Sequence, residues 1–354
     1  MQQYDRENLI DILKKYIDVK CMEDAKIDWM KMEDTHSDYV PVDYSYYNVI
    51  YQNCYFKAIN DAFVDFSVVI YNGGVPVGIW PLSISKKGND IQLGSWGTDL
   101  LAPLLVDCKY NIEKQRKLIE KCILAIQDIA DIYEIKNITC KQQLMQGGIN
   151  IWTQKLYEHG WNCNKISNEC YLNLEGTEEQ ILTSIRRTNR YSVQKADGLW
   201  KHKLICKDNL REEIEQTFEA FRDLHIEVAG RETRSIETWN LQKEGVIHKD
   251  DFVILLYDVS NKLIGASLYT TTGTEGSYAV AAYDRSLFNQ PVGHISQWLA
   301  IMHMKELGIK WYHVGTRFYE KDWNAPSEKE VAIGHFKEGW ATNIFPKLIL
   351  EKNI

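Results

Sequence analysis

From Asp65 onward, short apolar runs and polar turns alternate in an order that repeats. Residues 66–71 (FSVVIY) predict a strand, Asn72–Gly73–Gly74 a hairpin turn, and 75–85 (VPVGIWPLSIS) the returning strand. Lys86–Asp90 turns the chain again and 91–96 pair back. Over 111–133, Ile112, Leu118, Ile119, Cys122, Ile123, Ile126, Ile129 and Tyr133 fall mostly at helical spacing, and 135–140 close the unit as a strand. The second half follows the same course. Residues 252–257 (FVILLY) predict a strand, Val259–Lys262 a turn, 263–272 a strand, Gly273–Gly276 a turn, and 277–283 a strand that pairs back. A helix is expected over 291–307, with Pro291 in its first turn and Gly308 at its end, then a strand over 309–314. Asp65–Phe66 answers Asp251–Phe252, Gly78 answers Gly265, and Ile135–Lys136 answers Ile309–Lys310, which points to an internal duplication; a chance match is the alternative, since meanders followed by a helix are common. Outside the repeats, 5–16 predict an amphipathic helix, 20–60 loops with short helices, and 211–224 a further helix.

The chain has 354 residues, 45% of them hydrophobic, enough for two domains that each bury a core. The division expected is 1–170 and 171–354, and the class is α+β, with mixed, mostly antiparallel sheets flanked by helices. A net charge of −8 argues against a broad basic face for DNA. The eight cysteines form no CxxC pair and the nine histidines are dispersed, so no metal is expected. The charged N-terminus lacks an apolar signal core, and no run approaches a transmembrane length. Reduced thiols in the cytoplasm are the simplest account. Composition says nothing of oligomeric state.

Candidate chemistry gathers in the second half. Arg186, Arg187 and Arg190 fall within one helical turn, with Ile181, Leu182 and Ile185 on the other face. Guanidiniums that close repel unless an anion lies between them, so a phosphate-bearing ligand is one reading. A solvated face paired with Glu178 or Glu179 is the other. His225, Arg231 and Arg234 are expected in a loop after 211–224, where Gly230 turns the chain. Two nearby cations lower the proton affinity of an imidazole, which suits a neutral base near pH 7; a capping histidine with surface arginines fits as well. Trp239 and Gln242 follow at helical spacing and can line a sugar pocket or simply pack. Tyr283–Asp284–Arg285 ends a strand, where Asp284 can act as base or form a turn. Arg317, Tyr319 and Lys329 follow the last strand of the repeat. No Ser–His–Asp or Cys–His set stands out.

The order of three antiparallel strands, helix and parallel strand resembles the GNAT acyltransferase plan. In that plan two strands part where the helix begins, and the helix N-terminus faces the gap, where it can hold a pyrophosphate. The helix start Gln290–Pro291–Val292–Gly293–His294–Ile295 matches the plan's loop at Gln290 and Gly293 and departs from it at Ile295. The first-half equivalent, Gly97–Tyr110, is longer, and that lobe is expected to bind acceptor or serve structure. More specifically, the chain is similar to the Fem-type peptidoglycan-bridge transferases and their relatives, which are tandem GNAT-like folds. The likeness spans about residues 60–350. It is carried by the basic segment Ser184–Ala196, by Phe221–Arg234, by Val292–Gly293–His294 with Gln297–Trp298, by Gly308 and Gly315, and by Phe336–Lys337–Glu338–Gly339–Trp340, where the family has a closing strand.

The resemblance implies transfer of an acyl group, acetyl above all, to an amine on a sugar or cell-envelope glycan precursor. Acyl-CoA is the expected donor and aminoacyl-tRNA the alternative; no coiled-coil arm is present. A duplicated fold that only binds ligand is the non-catalytic alternative. His225, Asp284 and Tyr283 are then the catalytic candidates, and Gln290, Val292, Gly293 and His294 the donor-binding ones. Arg186, Arg187, Arg190, Arg231, Arg234, Trp239, Gln242, Arg317 and Tyr319 are expected to bind substrate.

Overall fold

The computed structural model describes residues 4–35, 39–105, 112–145 and 148–354. The rest of the predicted loop 97–110, Cys108 included, lies outside them. The chain divides into two compact units, Met1–Ser167 with Phe345–Ile354, and Asn168–Ile344.

In the first unit, α1 (Arg6–Lys14) begins on Asp5, whose carboxylate accepts from the Glu7 amide, and buries Leu9, Ile10, Ile12 and Leu13. β1 (Asp18–Cys21) follows. Where loops with short helices were predicted, the chain builds two full helices, α2 (Lys26–Thr35) and α3 (Tyr46–Ile59). Tyr46, Tyr47, Asn48 and Asn53 all face inward from α3, so polar-looking residues fill the buried stripe and hide the helical period.

Next come β2 (Ala62–Asp65), β3 (Val68–Asn72), β4 (Val75–Trp80), β5 (Ser83–Lys87) and β6 (Asp90–Gly94). The single strand predicted over 75–85 is therefore two. Pro81 has no amide to give a ladder, and the chain changes sheet there. β4 lies in the order β1-β3-β4-β7 with β7 (Leu104–Leu105), and β5 in the order β2-β5-β6. α4 (Ile112–Ile132) buries Ile119, Cys122, Ile126 and Ile129, then β8 (Asn137–Gln143) and α5 (Ile151–Glu158) follow. β9 (Asn162–Asn173) carries the chain into the second unit.

The basic segment there is not one helix. α6 (Glu178–Ser184) stops at Ile185, which is extended and buried, and α7 (Arg187–Ala196) restarts beyond it. β10 (Lys201–Ile205) leads to α8 (Arg211–Ala229), which runs five residues past its predicted end, closes at Gly230 and therefore carries His225 on the helix rather than in a loop. α9 (Ile236–His248), β11 (Phe252–Tyr257), β12 (Leu263–Thr271), β13 (Glu275–Tyr283), α10 (Val292–Glu306), β14 (Trp311–Arg317) and α11 (Glu328–Glu338) complete the unit. Pro291 precedes α10 at its cap position. The stretch Phe336–Trp340, expected near a closing strand, ends α11 instead. The closing strand is β15 (Asn343–Asn353), whose later part lies in the first unit, antiparallel to β8, although the sequence division placed it in the second domain.

Strands of the second unit lie in the order β10-β11-β12-β13-β14-β9. β11 reads as an unbroken apolar run because both its faces are covered. Phe252, Ile254 and Leu256 pack with α10, while Val253 and Leu255 pack with α8 and α9.

Candidate active site

β13 and β14 are parallel but touch only at their starts, where Glu275, Gly276 and Ser277 pair with Trp311, Tyr312 and His313. Beyond Ser277 and His313 the two strands carry no ladder to each other. Each has an irregularity just past that point. On β13 the register against β12 slips between Leu268, opposite Val280, and Tyr269, opposite Tyr278, which leaves Ala279 extra. On β14 it slips between His313, opposite Tyr171, and Gly315, opposite Cys170, which leaves Val314 extra. Bulges bend and twist a strand, and two at one height drive neighbours apart. Gly315 sits at φ +116, a conformation open in practice to glycine alone. This parting leaves a slot, and the first turn of α10 lies by the end of β13, where a Cβ on Gly293 would meet the Tyr283 ring at 3.8 Å.

Hydroxyls collect along the α10 side of the slot. Ser267 Oγ meets Ser296 Oγ at 2.6 Å, the Tyr269 hydroxyl donates to the Ser296 carbonyl at 3.5 Å, and the Tyr312 hydroxyl donates to Gln297 Oε1. Burial raises the pKa of Tyr269, Tyr278, Tyr283 and Tyr312. The Tyr283 hydroxyl lies among Ser296, Ser267 and Tyr278, near enough for each to bear on its titration, yet it makes no hydrogen bond of sound geometry among the described residues. A buried hydroxyl without a partner calls for a ligand or water.

Lys337 reaches β14 from α11. A Cβ added at Gly315 would stand 2.5 Å from its Nζ, so the missing side chain is what admits the ammonium. Burial lowers the Lys337 pKa, and Glu169 and the Cys170 thiol oppose that shift. Among the described residues the Lys337 ammonium makes no hydrogen bond or ion pair. Its neighbour Glu338 is clamped from two sides. Arg186 Nη2 and Arg317 Nε both donate to Glu338 Oε2 at 3.1 Å, and Arg186 Nη1 donates to the His335 carbonyl at 3.1 Å. These charge-assisted bonds tie the start of α7, the end of β14 and the end of α11 together, and so hold Lys337 at the slot.

Some of the residues singled out from sequence come together. His225 lies edge-on to Trp239 at 5.4 Å between ring centroids, Arg234 stacks on Trp239 at 4.1 Å, and Arg234 Nη1 donates to Gln242 Oε1 at 3.0 Å. Burial, then the Arg234 cation, lowers the His225 pKa. Trp239 and Gln242 are themselves buried, which makes their packing role evident, and Arg231 is exposed. The three arginines do not converge. Arg186 is bound to Glu338, Arg190 donates to the Thr183 carbonyl at 3.1 Å, and Arg187 is exposed. Neither Glu178 nor Glu179 holds them.

Asp284 is committed to a turn, accepting from the Ser286 amide and hydroxyl at 3.0 and 2.7 Å and from Lys262 at 3.2 Å. Those Ser286 bonds are the leading reason its pKa is lowered. Gln290 is exposed, Val292 buried, and Gly293 would tolerate a Cβ at 3.8 Å from the Tyr283 ring. The His294 ring packs on Phe336 and Trp340, and burial lowers its pKa. Arg317 also stacks on Tyr319 at 4.3 Å. The sequence reading named Lys337 only within the tail likeness, with no site role, and passed over His313 and Glu169. The legible signal was Gly315, a glycine inside a strand pattern, which marks a bulge or a close approach.

No family model matches this sequence, and no curated protein matches it either. Solved structures do. FemX aligns over 93% of this chain and 97% of its own at TM-score 0.64 and 12% identity. The C-terminal domain (DUF2156) of a putative lysylphosphatidylglycerol synthetase from Agrobacterium fabrum aligns over 98% and 92% at 0.58 and 11%. L-PGS from Bacillus licheniformis aligns over 98% and 92% at 0.53 and 10%. At such identities the likeness is one of fold.

Proposed function

Starting from the Fem-type, tandem GNAT-like acyltransferase fold that the chain possesses, we propose that it transfers an acyl group from an activated ester or thioester to an amine. The parting of β13 and β14 carries this reading. A strand edge with unpaired amides can receive the donor carbonyl and stabilise the oxyanion as the amine adds. Lys337 supplies a positive charge beside the same backbone, and the unpartnered Tyr283 hydroxyl supplies a donor on the α10 side. Direct transfer needs no protein nucleophile.

The donor binds along the slot toward the first turn of α10, at Gln290, Val292, Gly293 and His294, where helix amides attract a phosphate or diphosphate. That geometry suits acyl-CoA. Aminoacyl-tRNA is the second reading, favoured by the full-length likeness to FemX, whose family takes that donor in the resemblance set out above. The acceptor is an amine on a sugar or cell-envelope glycan precursor, for which exposed Arg231 and Arg187 and the Arg234–Trp239–Gln242 group offer charge and a stacking face.

Titration calorimetry with acetyl-CoA and, separately, with bulk aminoacylated tRNA tests this. Binding near about 1 μM, or about −8 kcal/mol, by one of them names the donor. Binding by neither overturns the proposal and leaves a duplicated fold without transferase function.

A further inference from the structure

We propose that His313 is the proton acceptor for the incoming amine and that Glu169 positions it, an assignment that rests on the transferase reading. His313 is the last β14 residue paired to β13, so it stands where the two strands begin to part. Side chains alternate along a strand. Tyr312 and Val314 enter the core beneath α10, which sends His313 to the opposite face. Lys337 approaches the same unpaired backbone from α11. Cation and imidazole thus attend one short stretch of β14, and Glu169, which holds the imidazole, also bears on the Lys337 ammonium.

The ring is held for this task. Glu169 on β9 is only 3% exposed and takes His313 Nε2 at 3.0 Å. Thr316 Oγ1 donates to the same carboxylate at 3.1 Å. Tyr171 stacks against the ring at 4.6 Å with planes 14° apart. An ionised carboxylate accepts only, so with Glu169 ionised the proton sits on Nε2 and the lone pair on Nδ1. A carboxylate that fixes the tautomer of a base is a recurring catalytic arrangement. His313 keeps about a fifth of its side chain exposed. The two histidines that the sequence singled out, His225 and His294, are each packed against aromatic rings.

In the step, an ammonium on the acceptor gives one proton to Nδ1, and its lone pair forms the C–N bond to the donor carbonyl carbon. Collapse breaks the C–O or C–S bond to the donor, and the nitrogen's second proton leaves with that oxygen or sulfur. The imidazolium, hydrogen-bonded to Glu169, passes its proton to water as product departs.

The test compares two acceptors at pH 7 with whichever donor binds: methylamine, which arrives as an ammonium, and hydroxylamine, which is already neutral. His313→Asn should lose about a hundredfold toward methylamine and retain most of its rate toward hydroxylamine, and Glu169→Gln should lose about tenfold toward methylamine alone. The retained hydroxylamine rate, with melting curves, certifies that each variant folds. An equal loss toward both acceptors, no loss, or the same selectivity in Lys337→Met overturns the assignment. If the wild-type chain acylates neither amine with either donor, the transferase reading fails, and this assignment with it.

Discussion

Lys337 has its proton affinity lowered by burial, and that has a signed consequence. Between its lowered pKa and the ordinary lysine value near about 10.4 the unfolded chain binds the extra proton. Stability contributed at this residue therefore rises with pH through that window, and below it the charged form disfavours the folded state. Lys337→Met should at pH 7 stabilise the protein by about 0.5–1 kcal/mol while lowering transfer at least about tenfold. Urea unfolding and turnover, measured on the same preparation, check both. A variant that is less stable and equally active would mark Lys337 as a packing residue.

At the scale of elements, the slot depends on the β14 bulge. Gly315→Ala places a Cβ in a strained conformation and against the Lys337 ammonium, so it should destabilise by about 1–3 kcal/mol and lower transfer further than stability alone explains. Denaturant midpoints with rates taken well below them separate the two effects. This scale was also the most legible in the sequence. Strand, turn and helix from Phe252 to Val314 were visible because apolar runs, turn residues and the Pro291 and Gly308 punctuation agree. α3 was hidden by tyrosines and asparagines that face inward, and the break at Ile185 by a basic stretch that continues a helical period straight through it. The site was least legible. His313 and Glu169 are 144 positions apart, and only sheet register brings them together. The Glu338 clamp likewise joins Arg186 and Arg317 from distant segments. By contrast, His225, Arg234, Trp239 and Gln242 lie close in sequence, and their contact with one another was legible there.

For the whole molecule, the division into units does not follow the order of the chain. Phe345–Ile354 return to the first unit, where Leu348 and Leu350 join a core built from α1, α4 and β8. Removing 345–354 should therefore unfold the first unit, since each buried leucine lost costs about 2–5 kcal/mol, while the second unit keeps its protection. Limited proteolysis with hydrogen exchange read segment by segment checks this; uniform loss across both units would show that they melt as one.

The return of β15 to β8 also sets a timetable for synthesis. A ribosome emits domains in order, and each usually folds as it emerges. Here the residues up to Ser167 come out early but wait, the β8 edge that β15 will cover left open, until Asn168–Ile344 and then Phe345–Ile354 have been translated. Throughout that interval the exposed edge is a place for a chaperone to hold, or for a neighbouring nascent chain to pair by mistake.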